Sequence, residues 1–205
     1  MNNASFIVSF NGQEGSGKST VAKMVSEKLN LPRYYMGQMF RDMAAEKNMT
    51  LPEFRKICDV DPNFDRTVDD YIVKLSQEQN AFVIESRTAW HFIPKSLKIY
   101  LKVDPSVAAK RIFDALSEEN NRGNEDNNLN TVENIQKSIL KRRKEDSERY
   151  FLLYNIRQDK DNNYDLVVDT TSLTIKEVFA VVMEFIETKK NGSIYQNNSK
   201  FCIYK

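Results

Sequence analysis

Gly12-Gln13-Glu14-Gly15-Ser16-Gly17-Lys18-Ser19 is the stretch of this chain that leaves the fewest folds open. It spells G-x-x-x-x-G-K-[ST] and has the flanks that pattern needs: an apolar, β-prone run, Ser5 to Asn11, before it, and Val21, Val25 and Leu29 at four-residue spacing after it. Strand, glycine loop and helix therefore follow in that order. Glycines let main-chain N–H groups converge on phosphate oxygens without Cβ interference, and the helix behind them directs the positive end of its dipole at the same point. The residues expected to hold ATP are Gly12, Gln13, Glu14, Gly15, Ser16, Gly17, Lys18, Ser19 and Thr20. Among them Lys18 reaches the β- and γ-phosphates as a point charge, and the Ser19 hydroxyl ligates Mg²⁺. The plain alternative is an ordinary glycine turn beside an exposed lysine, and the complete motif with both flanks argues against it.

The rest of the chain repeats the alternation. The first helix is predicted to end near Asn30, because Pro32 disfavours helical geometry in the residue before it, and a short strand, Arg33 to Met36, can follow. Gln38 to Gln79 is helical in pattern, punctuated by Thr50-Leu51-Pro52 and by Asp61-Pro62, with Thr50 placed as an N-cap; it reads as a small helical insertion. Compact β-prone runs occupy Ala81 to Glu85, Leu97 to Val103 and Tyr164 to Thr170. Helices are expected over Ser106 to Leu116, Thr131 to Tyr154 and Ile175 to Thr188. Between the first two lies an Asn- and Glu-rich separator, Ser117 to Asn130, too polar to offset its own ordering entropy by burial. Parallel neighbours need crossover connections that are usually helical, so the core expected is a doubly wound α/β sheet covered on both faces.

Composition narrows the partners. At 205 residues the chain suits one domain with attachments, and 30 basic against 29 acidic residues give a net charge of +1. That balance supplies no global field for nucleic acid or an anionic membrane, so any anion site must be local. Met1 to Phe10 lacks a basic leader with a long apolar core, and no later stretch approaches the roughly 18 apolar residues of a membrane span. A cytoplasmic protein is expected, with Cys58 and Cys202 as reduced structural thiols and His91 as a packed or surface residue.

Arg142, Asp146 and Arg149 stand at i, i+4 and i+7, within a narrow stripe of one helix face. Phosphoryl transfer spreads negative charge over equatorial oxygens, which planar guanidiniums can stabilise from a helix that closes over the site, with Asp146 orienting them. A solvated basic face, continuous with Lys141 to Lys144, is the competing reading. Arg41 follows the turn-like Met36-Gly37, and Arg87 follows the strand end Glu85-Ser86. Ligands of open parallel sheets collect at the carboxyl ends of strands, where Gly12, Glu85 and Arg87 should emerge together. Arg41 and Arg87 are thus candidates for gripping an acceptor phosphate, and Glu85 for holding Mg²⁺-bound water.

These residues, taken in series, resemble the cytidylate kinase family of nucleoside monophosphate kinases, particularly its compact archaeal form. The resemblance runs from about Phe6 to Val178. It rests on the glycine loop, on Met36-Gly37-Gln38-Met39-Phe40-Arg41, on Met49 to Phe54 with Asp61 to Arg66, on Val83-Ile84-Glu85-Ser86-Arg87, on Leu97 to Leu101, and on Arg142 to Tyr150. It implies a three-layer α/β/α fold around a five-stranded parallel sheet. The core would span 5–37, 81–112 and 150–188, with a helical monophosphate-binding insertion over 38–80, a lid over 113–149 and a tail over 189–205. It also implies ATP-dependent transfer with Mg²⁺ to CMP or dCMP by a monomeric enzyme that binds small nucleotides and neither nucleic acid nor membrane. Gly37, Arg41, Arg87 and Asp146 would hold the acceptor; Lys18, Arg142, Asp146 and Arg149 would serve transfer, and Asp169 to Thr171 would lie near the ATP base. Met36 departs from the bacterial pattern, which often places a hydroxyl residue before the glycine. Other small acceptors, such as shikimate, dephospho-coenzyme A or a different monophosphate, and a nucleotide-switch module remain as alternatives at this stage; the absence of Asn-Lys-x-Asp counts against a GTPase switch.

Overall fold

In a computed structural model, residues 6–60, 63–118, 131–191 and 202–204 are described. Residues 119–130, most of the predicted polar separator, lie outside that set, as do the side chains of Cys58 and Cys202. The chain runs β1 (Phe6–Gly12), α1 (Lys18–Leu29), β2 (Arg33–Tyr35), α2 (Met36–Glu46), α3 (Leu51–Val60), α4 (Asn63–Glu78), β3 (Ala81–Glu85), α5 (Ala89–Phe92), β4 (Leu97–Lys102), α6 (Pro105–Glu118), α7 (Val132–Tyr154), β5 (Leu166–Asp169), α8 (Ile175–Lys190) and β6 (Cys202–Tyr204). The sheet has the order β2-β3-β1-β4-β5-β6. Its first five strands pair in parallel, and β6 adds to the β5 edge antiparallel, with Leu166 opposite Tyr204 and Val168 opposite Cys202.

Alternation along each strand divides the core between the two faces. Val8, Phe10, Val83, Ile99, Leu101, Leu166 and Val168 pack with Val21 and Val25 of α1 and with Val178, Val182, Phe185 and Ile186 of α8. Ile7, Phe82 and Ile84, one residue out of phase, pack with Val68, Ile72 and Leu75 of α4 and with Met36, Ala89 and Ile93. Helices α6 and α7 share a separate cluster in which Ala108, Ala109 and Ile112 meet Ile135 and Ile139.

Helix ends follow local chemistry. Asn30 and Asn155 adopt left-handed φ values of 51° and 54° and close α1 and α7. Thr131 accepts from Asn134 N at the start of α7, and Thr174 with Glu177 forms a reciprocal capping box on α8. Thr50 and Glu53 make the same exchange before α3, with Thr50 N donating to Glu53 Oε2 at 2.8 Å.

The structure departs from the sequence reading in several places. Met36 opens α2 instead of ending β2, and its side chain is buried against the α4 face of the sheet. Helix α6 continues through Glu118, past the expected end at Leu116. The helical turn α5 and strand β6 were not foreseen; a three-residue tail strand has too little sequence for a periodic signal, and its pairing partner decides it. Among the described residues no helix is long and apolar enough to cross a membrane.

Strand register sets up the site. Phe10 of β1 and Tyr35 of β2 both pair with Glu85 of β3, and Gly12 pairs with Leu101 of β4. The carboxyl ends of four strands thus deliver the glycine loop, the start of the insertion and the loop after β3 to one edge of the sheet.

Candidate active site

The loop between β1 and α1 is braced on β4: Gln13 N donates to Leu101 O at 2.9 Å, and Gln13 Oε1 accepts from Val103 N at 2.8 Å. Two glycines in it have no substitute. Gly15 has φ +72°, and a Cβ there would stand 2.8 Å from the backbone of Ala108; Gly17 has φ +79°, and a Cβ would meet Ile175 Cδ1 at 2.6 Å. Within this cradle Lys18 Nζ donates to Gly12 O at 3.2 Å, and Ser16 Oγ is buried with no hydrogen-bond partner among the described residues. Burial and the Arg87 charge hold the Lys18 ammonium below its ordinary pKa, against the opposing pull of Glu85 and Glu14.

Facing the cradle is a cluster of guanidiniums arranged on two carboxylates. Glu14 Oε1 lies 2.6 Å from Arg87 Nη2 and 3.5 Å from Arg142 Nε, and Glu14 Oε2 lies 3.2 Å from Arg143 Nε. Asp146, 4% exposed, takes Arg149 at 2.8 Å, Arg87 at 3.1 Å and Arg142 at 3.7 Å. Arg87 thereby bridges both carboxylates. Its backbone is fixed from below, because its carbonyl accepts from Asn11 Nδ2 at 3.2 Å and from Trp90 Nε1 at 2.9 Å. Burial works to raise the Glu14 pKa, but the charges of Arg87 and Arg142 outweigh it and hold the carboxyl well below its usual range. Burial likewise opposes the Arg87 cation, and Asp146 and Glu14 more than restore it.

Arg41, on α2, donates to Tyr35 Oη at 3.1 Å and to Gly37 O at 3.2 Å. Burial pushes the Tyr35 phenol up, while the bond and charge of Arg41, a hydrogen bond from Ser19 and the charge of Lys18 bring it below its ordinary value. A hydroxyl therefore does stand at the start of the insertion, one residue before Met36.

Two cavities share this chemistry. The larger, about 580 Å³, is lined by Gln13 to Thr20, by Arg41, Arg87, Arg111 and Arg142, and by apolar side chains that include Ile112, Ile139, Leu173 and Ile175. The smaller, about 110 Å³, is lined by Met36, Phe40, Val68, Asp69, Glu85, Ser86, Thr88, Asp146, Arg149 and Tyr150. Lys18, Tyr35, Gly37, Arg87 and Arg142 line both, so the two spaces meet over the tip of the glycine loop.

Each residue expected to hold ATP, acceptor or metal or to serve transfer lines one of these cavities except Gly12, which underlies the loop as the acceptor for Lys18, whereas Asp169 to Thr171, expected near the ATP base, line neither. Glu14 differs in kind from its neighbours: its side chain is committed to arginines. Glu85 is 1% exposed and ion-paired at 2.6 Å with Arg33, while its Oε2 is buried with no hydrogen-bond partner among the described residues. Three arginines were missed. Arg33 stood only as the start of a short strand, Arg143 only within the basic run Lys141 to Lys144, and Arg111 lay unremarked in a helix. Arg111 reaches Gly15 O at 3.3 Å, Thr170 O at 2.8 Å, Thr171 O at 3.4 Å and Leu173 O at 3.3 Å, tying the glycine loop to the β5–α8 loop. No local pattern could have found it, since those partners are 59 to 96 residues away.

Comparison with known proteins supplies the family. Residues 8–147 match the family described as AAA domain. The chain is 30% identical over 184 residues to a cytidylate kinase of Methanosphaera stadtmanae, covering 90% of this chain and 99% of that protein. It is 32% identical over 188 residues to a cytidylate kinase of Methanococcus aeolicus, covering 89% and 98%. Among solved structures, a shikimate kinase from Acinetobacter baumannii in complex with shikimate superposes with a TM-score of 0.57 at 14% identity, covering 91% of this chain and 95% of that one; at that identity the likeness concerns the fold. With a phosphate-binding loop facing an arginine cluster, and with relatives that match it nearly end to end, the chain belongs to the cytidylate kinase family.

Proposed function

We propose that this protein transfers the γ-phosphoryl group of ATP to a nucleoside monophosphate, most favourably CMP or dCMP, giving the nucleoside diphosphate and ADP. The observation that supports this best is the meeting of the two cavities at Lys18, Arg87 and Arg142. A donor triphosphate in the larger space and an acceptor monophosphate in the smaller one then face each other across these cations. The names of the relatives supply the preference for cytidine nucleotides.

In this reading the backbone N–H groups of Gly15 to Ser19 hold the β-phosphate, and Lys18 Nζ turns from the Gly12 carbonyl to the phosphate chain. Arg41 and Arg87 hold the acceptor phosphate, with Gly37 allowing close approach and Asp146 fixing the arginines that touch it. An acceptor phosphate oxygen attacks the γ-phosphorus in line as the bond to the β-phosphate oxygen breaks. Arg142 and Arg149 stabilise the charge that develops on the equatorial oxygens. No side chain need act as nucleophile.

The donor set also suits Mg²⁺. The glycine cradle would be filled by any Cβ, and Glu85 Oε2 is a buried acceptor with no hydrogen-bond partner among the described residues. Ser19 would hold the ion directly and Glu85 through its water, and the ion would supply positive charge to the phosphates. Helices α2 to α4 would serve as the acceptor-binding insertion, and α6 with α7 as the lid arms. Closure of these parts would exclude water and suppress hydrolysis. We further place the enzyme in the cytoplasm as a monomer.

ADP release measured with ATP, Mg²⁺ and each of CMP, dCMP, UMP and AMP tests the proposal. Acceptor-dependent release, greatest with a cytidine nucleotide, is the expected result. Release that is the same with and without every acceptor would replace the kinase reading with that of a nucleotide hydrolase or switch.

A further inference from the structure

We infer that Asn11 is a positioning residue for the transfer: from the end of β1 it sets where Arg87, and with it the acceptor phosphate, stands against the phosphate-binding loop. The inference rests on the kinase reading above. Asn11 is 3% exposed and pairs with Tyr100 of β4. Burying an amide costs free energy unless its polar atoms find partners, and here both do. Asn11 Oδ1 accepts from Gly12 N at 2.7 Å, and Asn11 Nδ2 donates to Arg87 O at 3.2 Å and to Tyr164 Oη at 2.7 Å. One side chain thus joins the first amide of the glycine loop to the main chain of Arg87, 76 residues further on.

The surroundings allow that amide one orientation. Tyr164 Oη donates its single proton to Gln158 O at 2.6 Å, so toward Asn11 it can only accept. Burial pushes the Tyr164 phenol up, which keeps that proton in place. The Arg87 carbonyl is likewise an acceptor only. Both contacts call for an N–H, which turns the nitrogen of Asn11 toward them and leaves its oxygen for Gly12 N. A carboxylate in the same place could make neither donation.

Tyr164 anchors the arrangement. It stacks on Tyr100 with ring centroids 4.6 Å apart and meets the Trp90 ring at 5.6 Å, and Trp90 Nε1 is the other donor to Arg87 O, at 2.9 Å. Both groups that hold the Arg87 carbonyl therefore rest on the same buried ring. At its far end the Arg87 guanidinium meets Glu14 and Asp146 and lines both cavities. A side chain held at root and head presents its charge at one place. Moving the root by about an ångström misplaces that charge, an error of the size that costs transfer on the order of 100-fold.

A clamp that serves folding alone is the competing role, and kinetics separates the two. The test uses ATP, Mg²⁺ and whichever of CMP, dCMP, UMP and AMP the wild-type protein uses best. In Asn11→Ala the KM for that acceptor should rise about tenfold or more. The KM for ATP should move by no more than about threefold, because Gln13 and Arg111 still brace the donor side. In an Arg87→Ala background the backbone carbonyl remains, so Asn11→Ala should shift the urea midpoint as it does in the wild-type background. Its cost in acceptor kcat/KM should there shrink to about twofold or less, since the side chain it positions is gone. Should Asn11→Ala fail to fold, Tyr164→Phe, which removes the amide's second acceptor, takes its place, and a rise of about threefold or more is expected in the acceptor KM alone. An acceptor KM that rises no more than the KM for ATP, or a cost in kcat/KM that is the same with and without the Arg87 side chain, overturns the inference and leaves the kinase reading in place. Transfer to none of the four acceptors by the wild-type protein overturns both.

Discussion

Arg87 Nη2 stands 2.6 Å from Glu14 Oε1, joining the loop after β3 to the phosphate-binding loop across 73 residues of sequence. The same guanidinium reaches Asp146 on α7 at 3.1 Å. Three segments that line the site are thus held in register by one side chain.

The first expectation concerns Glu14. Its folded pKa lies below the ordinary 4.5, so its contribution to stability is complete above that value and is lost as pH falls through the lower, folded pKa. Glu14→Gln should cost roughly 3 kcal/mol in urea unfolding at neutral pH, because it leaves buried guanidiniums with one anion fewer. The variant's stability should also fall less steeply than wild type once the pH drops below about 4.5. ATP should bind it several-fold more tightly, since the arginines no longer hold an internal anion. Unchanged stability and ATP affinity would show that the carboxylate is idle.

Asp146 organises three arginines, so Asp146→Asn should lower kcat about 100-fold with a smaller change in stability. Arg149→Ala should lose a similar amount. The double variant should lose far less than the product of the two, since both act through one constellation. Steady-state kinetics on the four proteins checks this; full activity in Arg149→Ala would remove α7 from the chemistry.

Gly15→Ala forces a Cβ to 2.8 Å from the Ala108 backbone at φ +72°. Backbone cannot yield as a flexible side chain does, so a loss of roughly 1–3 kcal/mol in folding stability is expected. Calorimetric ATP affinity should fall at least about tenfold, as the amide nest is displaced.

Arg111→Met keeps length and apolar contact while removing every bond to the carbonyls of Gly15, Thr170, Thr171 and Leu173. Loss of charged hydrogen bonds that brace the donor side should raise the KM for ATP about tenfold. The KM for the acceptor should move by no more than about twofold, because Arg111 lines the larger cavity alone.

The glycine loop, its flanking strand and helix, and the core strands Ala81–Glu85 and Leu97–Lys102 were legible because each is written within a few residues, in side-chain period and turn chemistry. The Arg142, Asp146 and Arg149 stripe was legible as a spacing. Whether it was a working face or a solvated one was not, and the contacts to Arg87 and Glu14 settle its environment.

Local pattern and composition alone determined an α/β chain with a phosphate-binding loop, local anion chemistry and a candidate set of arginines. Only the tertiary structure decided that Arg143 pairs with Glu14 across 129 residues, that Arg111 braces the loop from α6, and that Asp69 meets Thr88 and Tyr154 at the cavity wall. The physical reason is range. Backbone preference and periodicity act between near neighbours, whereas these pairs are set by strand register and helix packing, which bring distant side chains within the few ångströms over which a hydrogen bond acts.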